Sequence, residues 1–315
     1  MDILIFSLDG VLPICIPVLI GMLLRKLGII DKEFASKLNT LCFKVFIPVS
    51  IYGQIYQSDL SSVADPRTLV FSLGMTGLVL ILLCLITPKL IHNGVQCGEF
   101  IQGVFRSNSA ILGLPLLQNL YGTDAGKALA IPLPLMIIMY NICAPIVLTH
   151  FSNNTSKAPS LREFCGKVFT NPYLIAAILG ILTATTGIKF PTFLQKTVSN
   201  IGGIGSPLAL VALGAITELE HFKRSGKLAF VASIIRLVII PVIVLTIGGL
   251  IGIRGVQMSV LLCFFATPTA VGGYVLAKNI DHDGELAGQI LLQTTILSFL
   301  TMFLLIATMR AIGWM

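Results

Sequence analysis

The feature that most constrains this chain is a series of ten apolar segments separated by short polar loops. Each segment has roughly 17 to 25 residues, which is enough for a helix to cross the hydrocarbon core of a bilayer. None shows the alternation typical of a β-barrel strand. The segments cover residues 3–24, 33–56, 67–91, 99–120, 125–150, 168–187, 191–216, 228–252, 255–279 and 285–311. We therefore predict an all-α integral membrane protein with ten transmembrane helices.

Charge supports this class and predicts an orientation. Only 11% of the 315 residues are charged, whereas soluble proteins average about 25%. Twelve Lys and Arg residues fall on one predicted side of the membrane and six on the other. The positive-inside rule places the twelve in the cytoplasm and both termini outside. The net charge of +7 then reflects loop bias and contact with anionic lipid headgroups, and it requires no nucleic-acid partner.

The two halves of the chain repeat each other. A shift of 159 or 160 positions superimposes prolines and glycines of four consecutive spans; the pairs include Pro13 with Pro172, Gly21 with Gly180, Pro48 with Pro207, and Gly113 with Gly273. Five spans per half is an odd number, so the second half must enter the bilayer from the opposite side. We predict a 5+5 inverted repeat, with residues 1–150 as the first repeat, 151–167 as a cytoplasmic linker and 168–315 as the second repeat.

The fourth and ninth spans are interrupted at corresponding positions, near residues 105–115 and 265–275. The residues that weaken these helices are Gly113, Pro115, Pro268, Gly272 and Gly273. Paired interruptions of this kind point to the binding site of a transporter, where half-helix N-termini with free N–H groups face the membrane centre. Broken helices that cross there would suit a carboxylate.

Polar side chains cluster at these interruptions. Asn108 could donate its amide hydrogens to an anionic oxygen, and four hydroxyls could add donors: Ser107, Ser109, Thr267 and Thr269. Alternatively, such hydroxyls bond their own helix backbone. Three basic residues lie within spans, Lys44, Arg106 and Arg236, and the acidic candidates are Asp9 and Asp65 near the outer ends. This positive excess favours an anionic substrate, and the charges are candidates for binding or coupling.

Two segments resemble the auxin efflux carrier family, which includes plant PIN auxin exporters and bacterial permeases described as dicarboxylate or malonate transporters. Residues 108–117 read N-S-A-I-L-G-L-P-L-L and resemble the family's N-T-L-V-x-G-x-P-L-L. Residues 266–278, A-T-P-T-A-V-G-G-Y-V-L-A-K, are similar to its A-x-P-x-x-x-x-x-F-V-x-A-K. The similarity covers essentially all ten spans.

The resemblance implies a scaffold domain and a transport domain, each drawn from both repeats, with elevator-like alternating access. Substrate would lie where the fourth and ninth helices cross, and Asn108 matches the asparagine that contacts the substrate carboxylate in plant members. This chain departs from the plant pattern at Ser107, where the plant proteins carry proline, and at Arg106, and it lacks their large central loop. A small carboxylate carried across a bacterial-type inner membrane is therefore favoured over auxin itself.

The sequence thus predicts a secondary transporter that exports small organic anions, such as auxin-like or dicarboxylate compounds. The alternatives are an uptake carrier similar to sodium/bile-acid symporters, and a membrane ligand sensor or channel that does not act as a carrier. An intramembrane enzyme is disfavoured, because there is no H-E-x-x-H motif and none of the four histidines lies in the middle of a span. We expect no cofactor and no metal. The expected partners are the substrate anion and the bilayer, and a homodimer is left open.

Overall fold

The computed structural model describes residues 2–57, 65–151, 170–188, 190–217, 226–279 and 284–315. In these ranges all regular structure is helical. Within these described ranges, seven helices are long and apolar enough to cross a membrane, and two shorter apolar helices are Pro172–Thr185 and Gly255–Phe265. The expected class of all-α integral membrane protein is confirmed. The predicted linker, residues 151–167, lies outside the described residues except for Phe151.

The α-helices described in the first half are α1 Asp2–Lys26, α2 Lys32–Leu41, α3 Ile47–Tyr56, α4 Pro66–Leu90, α5 Gly94–Phe105, α6 Leu114–Tyr121, α7 Gly126–Ala130 and α8 Pro132–His150. Those of the second half are α9 Pro172–Thr185, α10 Thr192–Ile216, α11 Lys227–Ile234, α12 Ile240–Leu250, α13 Gly255–Phe265, α14 Val271–Asn279 and α15 Glu285–Ala311. The fourth predicted span therefore folds as α5 and α6, and the ninth as α13 and α14.

Three wide π-helical turns interrupt these described helices, and each is followed by a proline. They are π1 Cys42–Phe46, π2 Ser109–Gly113 and π3 Ile235–Ile239, followed respectively by Pro48, Pro115 and Pro241. Each proline lies four residues after the middle residue of its turn. Because proline has no N–H and its ring crowds that carbonyl, the ordinary helical bond cannot form and the turn widens. Pro207 sits inside α10 without such a turn, so proline permits this conformation and does not impose it.

The chain divides into two compact units, and each takes segments from both halves of the sequence. Unit 1 comprises Met1–Pro66, Ala110–Ile138 and Gly166–Thr217. Unit 2 comprises Arg67–Ser109, Met139–Cys165 and Glu218–Met315.

In unit 1, α1 packs against α10 through glycine contacts. A Cβ atom at Gly214 would collide with the carbonyl oxygen of Val18, and one at Gly21 would collide with that of Val211. Glycine is needed at both positions because the two backbones touch. Small residues allow this close approach between membrane helices, where dispersion contacts between backbones stabilise packing.

In unit 2, α15 occupies the centre of the packing. It contacts α5, α11, α14 and π3. The polar contacts on α15 include the hydroxyl of Ser233 on α11, which donates to Oε1 of Gln293 over 3.2 Å. Hydrogen bonds of this kind between polar side chains stabilise the association of membrane helices.

Candidate functional site

The two predicted helix breaks are present in unit 2. Helix α5 ends at Phe105, the backbone is extended at Arg106, and π2 begins at Ser109. Helix α13 ends at Phe265, and α14 begins at Val271 after a stretch of irregular backbone. Pro268 lies within the second break. The other four predicted breakers, Gly113, Pro115, Gly272 and Gly273, lie in the helical turns that follow the breaks.

The two breaks are hydrogen-bonded to each other. The backbone N–H of Asn108 donates to the carbonyl of Pro268 over 2.9 Å. The hydroxyls of Ser107 and Thr267 lie 2.6 Å apart and share a hydrogen bond. In both contacts the two residues are 160 positions apart, the spacing that relates the two halves of the sequence. The breaks therefore form one crossover, whose residues are Arg106–Ser109 and Ala266–Ala270.

Three of the predicted binding side chains are buried at the crossover with unpaired polar atoms. Asn108 is 2% exposed, Ser109 is 0% exposed and Thr269 is 2% exposed. Among the described residues, neither Oδ1 nor Nδ2 of Asn108 has a hydrogen-bond partner, and the same holds for Ser109 Oγ and Thr269 Oγ1. A buried polar group without a partner costs about 1 to 3 kcal/mol. Buried polar atoms without a partner are uncommon in folded proteins, and donors of this kind could serve a polar ligand.

The other two predicted hydroxyls are already satisfied. Ser107 and Thr267 are bonded to each other, and the hydroxyl of Thr267 also donates to the carbonyl of Cys263 over 2.8 Å. The alternative considered from the sequence, a hydroxyl bonded to its own helix backbone, therefore applies to Thr267. The bond between Ser107 and Thr267 joins the two breaks. Contact of these two hydroxyls with the substrate stays a prediction.

Arg106 is half-buried beside the start of α14. Its Nη2 donates to Oδ1 of Asn141 over 3.0 Å. A Cβ atom at Gly272 would lie 2.9 Å from this Nη2, and one at Gly273 would collide with Oε1 of Gln102. The two glycines thus allow the side chains of α5 to approach the first turn of α14. That turn carries backbone N–H groups that the helix itself leaves without acceptors, with a partial positive charge.

The four remaining charge candidates occupy different surroundings. Arg236 lies in π3 of unit 2 and is 1% exposed. It donates to three backbone carbonyls: from Nε to Thr267 over 3.0 Å, from Nη1 to Val104 over 3.3 Å and from Nη2 to Phe264 over 3.0 Å.

The other three charge candidates, Lys44, Asp9 and Asp65, belong to unit 1. Lys44 and Asp9 are exposed there, and Asp65 is half-buried. A coupling role for these three stays a prediction.

Two buried polar residues of α5 were missed by the sequence reasoning. Glu99 is fully buried in α5, and its carboxylate accepts the N–H groups of Gly284 over 3.0 Å and Ala287 over 2.9 Å at the start of α15. Gln102, one turn later in α5, is 1% exposed, and its Oε1 has no hydrogen-bond partner in the described part of the chain. The signal available for Glu99 was that it is the sole acidic residue between Asn93 and Tyr121.

Within the described ranges, no three His, Cys, Asp or Glu side chains lie close enough together to hold a metal ion. The polar groups at the crossover are amides, hydroxyls, helix N–H groups and a guanidinium. Such groups supply hydrogen-bond donors to an anion.

These helices define a multi-pass integral membrane protein with a polar crossover in its membrane-spanning part. Comparison with known proteins supplies the family. A family model described as membrane transport protein matches residues 6–164 and 157–306. The chain belongs to this family, which is that of the auxin efflux carriers, and it is a membrane transporter.

Several relatives align over almost the whole chain. An uncharacterized transporter of Methanothermobacter thermautotrophicus is 28% identical over 94% of this chain and 96% of its own length. An uncharacterized transporter of Methanocaldococcus jannaschii is 26% identical over 94% of this chain and 97% of its own. Auxin efflux carrier component 8 of Arabidopsis thaliana is 20% identical over 88% of this chain and 90% of its own.

Proposed function

We propose that this protein is a secondary carrier of small organic anions and that their carboxylate binds at the crossover of unit 2. The observation that carries the proposal is the cluster of buried, unpaired polar atoms on Asn108, Ser109 and Thr269. Nδ2 of Asn108 and the two hydroxyls can donate to carboxylate oxygens and so gain the partners that they lack. Because these groups are buried, where the dielectric constant is low, each such hydrogen bond is stronger than it would be in water.

The charges around the crossover favour an anion over a cation. The partly exposed guanidinium of Arg106 and the N-terminal turn of α14 both present positive charge. Glu99, a buried carboxylate of unit 2, accepts two backbone N–H groups at the start of α15. Its oxygens are therefore engaged in holding that helix, whereas a sodium site would require oxygen ligands directed at the ion.

The inverted repeat and the elevator mechanism belong to the same proposal. Residues 160 positions apart meet at the crossover, which supports two repeats related by a two-fold axis at that point. Each compact unit draws on both halves of the chain, as a scaffold and a transport domain would. We assign the transport role to unit 2, because it contains all six predicted binding residues.

Export is the favoured direction on energetic grounds. Moving one negative charge out of a cell that is negative inside gains about 2.3 kcal/mol per 100 mV of membrane potential. A monoanion can leave by this route without a coupling ion, while its uptake would require protons, sodium or exchange.

The test is transport in proteoliposomes with a panel of radiolabelled small carboxylates, including malonate, under an imposed voltage and with pH or sodium gradients applied in separate experiments. We expect saturable, voltage-dependent flux of at least one acid. Asn108→Ala should weaken the apparent affinity for that acid by about tenfold to a hundredfold, the effect of losing a hydrogen bond to a charged group.

Ser298→Ala is the matched control. Ser298 is also fully buried in unit 2, but its hydroxyl donates to the carbonyl of Thr295 in its own helix. This variant should transport like the unmodified protein. Absence of flux for every carboxylate would overturn the anion carrier. Flux with unchanged affinity in Asn108→Ala would remove Asn108 from the site, and flux that depends on a sodium gradient would favour the symporter alternative.

A further inference from the structure

Arg236 has the largest fully buried side chain of the described residues, and it is hydrogen-bonded to the crossover at Thr267. Its three guanidinium nitrogens donate to three carbonyls on two different broken helices. Val104 belongs to the last turn of α5, Phe264 belongs to the last turn of α13, and Thr267 lies in the break after α13.

The chemistry of helix ends explains this arrangement. The last four carbonyls of a helix have no partner inside it, and the C-terminal end carries a partial negative charge. In a membrane-spanning segment such carbonyls must be satisfied by protein. A planar guanidinium with its donors in a rigid fork can serve both helix ends together, which an ammonium group cannot do with the same geometry.

We propose that Arg236 is a positioning residue that joins the C-terminal ends of α5 and α13 into one rigid substrate cradle. The inference rests on the proposed function only in taking the crossover as the substrate site. Arg236 reaches that site through the backbone. Thr267, whose carbonyl it binds, precedes Pro268, whose carbonyl accepts the N–H of Asn108. Displacing Arg236 would therefore shift the residue that presents the free amide.

The helix that carries Arg236 is itself held in place. Ser233, three residues earlier, bonds to Gln293 on α15. The next residue of α15, Thr294, accepts the backbone N–H of Thr269 over 3.3 Å. The guanidinium and α15 thus restrain the second break from two directions. Because its three nitrogens already donate to backbone carbonyls, Arg236 acts on the cradle and does not contact the substrate.

The experiment measures hydrogen exchange by mass spectrometry on the full-length protein in detergent, without any ligand. The reporters are peptides that cover residues 104–109 and 264–270. We expect exchange in both segments to become at least about tenfold faster in Arg236→Gln, because charge-assisted hydrogen bonds to both helix ends are lost. Arg236→Lys keeps the charge without the fork, so its exchange should fall between that of Arg236→Gln and that of the unmodified protein.

Arg254→Gln is the matched control. Arg254 also lies in unit 2 and donates to carbonyls, those of Gly249 and Ile253, but at the loop after α12. It should speed exchange locally and leave both reporter segments unchanged. Unchanged exchange in Arg236→Gln, or acceleration in only one segment, would overturn the proposal. So would Arg236→Lys with exchange equal to that of the unmodified protein, because the fork would then be dispensable.

If the Arg236 variants do not fold, the unmodified protein still decides the question. One residue that holds both helix ends predicts that the two segments open together, with the same protection and correlated exchange. Protection that differs between them by more than about tenfold would overturn the joint role. None of these readouts requires a transported substrate, so failure here is distinct from failure of the carrier assignment. Where flux is measurable, Arg236→Gln should raise the apparent KM about tenfold or more, and Arg236→Lys should partly restore it.

Discussion

At the scale of single residues, the buried polar side chains of unit 2 fall into two groups. Arg236 and Glu99 have partners on helix ends that satisfy their charges. Asn108, Ser109 and Thr269 have unpaired atoms in the part of the chain that the structure describes. Because both groups are equally buried, burial does not separate a binding residue from a structural one. The hydrogen-bond partners do.

Glu99 supports a stability prediction. Glu99→Gln should lower the free energy of unfolding by about 1.5 to 3 kcal/mol, because the charge-assisted bonds to the first turn of α15 are weakened. Thermal unfolding in detergent measures the change. Glu33→Gln is the control, since Glu33 forms an exposed pair with Lys37 over 2.6 Å and should change stability by less than about 1 kcal/mol. Equal effects in the two variants would contradict a structural role for Glu99.

At the scale of helices, proline and glycine have separate effects. Pro48, Pro115 and Pro241 each lie shortly after a π-turn, and those turns carry Lys44, Ser109 and Arg236. The prolines therefore permit the wider turns in which these polar residues lie. Gly21 in α1 and Gly214 in α10 instead determine how closely these two helices pack, because they let the two backbones come into contact.

The packing role of glycine is testable within one helix. Gly214→Ala should destabilise the protein by about 1 to 3 kcal/mol, since its Cβ would meet a backbone carbonyl that cannot rotate away. Gly203→Ala, also in α10, places its Cβ in open space and should be neutral or stabilising by up to about 1 kcal/mol. Thermal unfolding of the two variants decides between them, and a Gly214→Ala protein as stable as Gly203→Ala would show that the contact is dispensable.

At the scale of the whole molecule, the distribution of basic residues predicts where the termini lie. We expect both termini on the outer side of the cell membrane, because twelve basic residues flank the other side against six. Fusions to the C-terminus measure this in a bacterial host. Alkaline phosphatase should be active there and green fluorescent protein should stay dark. The reverse pattern would invert the topology and with it the assignment of cytoplasmic loops.

The sequence by itself determined the membrane class and the two helix breaks, and it identified Asn108 as a candidate binding residue. These features are local. Apolar length, proline and glycine act within a few residues of where they stand, and the segment around Asn108 carries its own family resemblance. The prediction of broken fourth and ninth spans could therefore be made before any contact was known.

Only the tertiary structure decided which polar atoms are paired. Glu99 bonds to residues 185 and 188 positions away, and Arg236 bonds to residues 28, 31 and 132 positions away. Likewise, Ser107 and Thr267 satisfy each other, whereas their neighbours Asn108 and Thr269 keep unpaired atoms. The residue type determines which donor and acceptor groups a side chain has. Whether a partner is present depends on which distant segments the fold brings within about 3 Å, the length of a hydrogen bond.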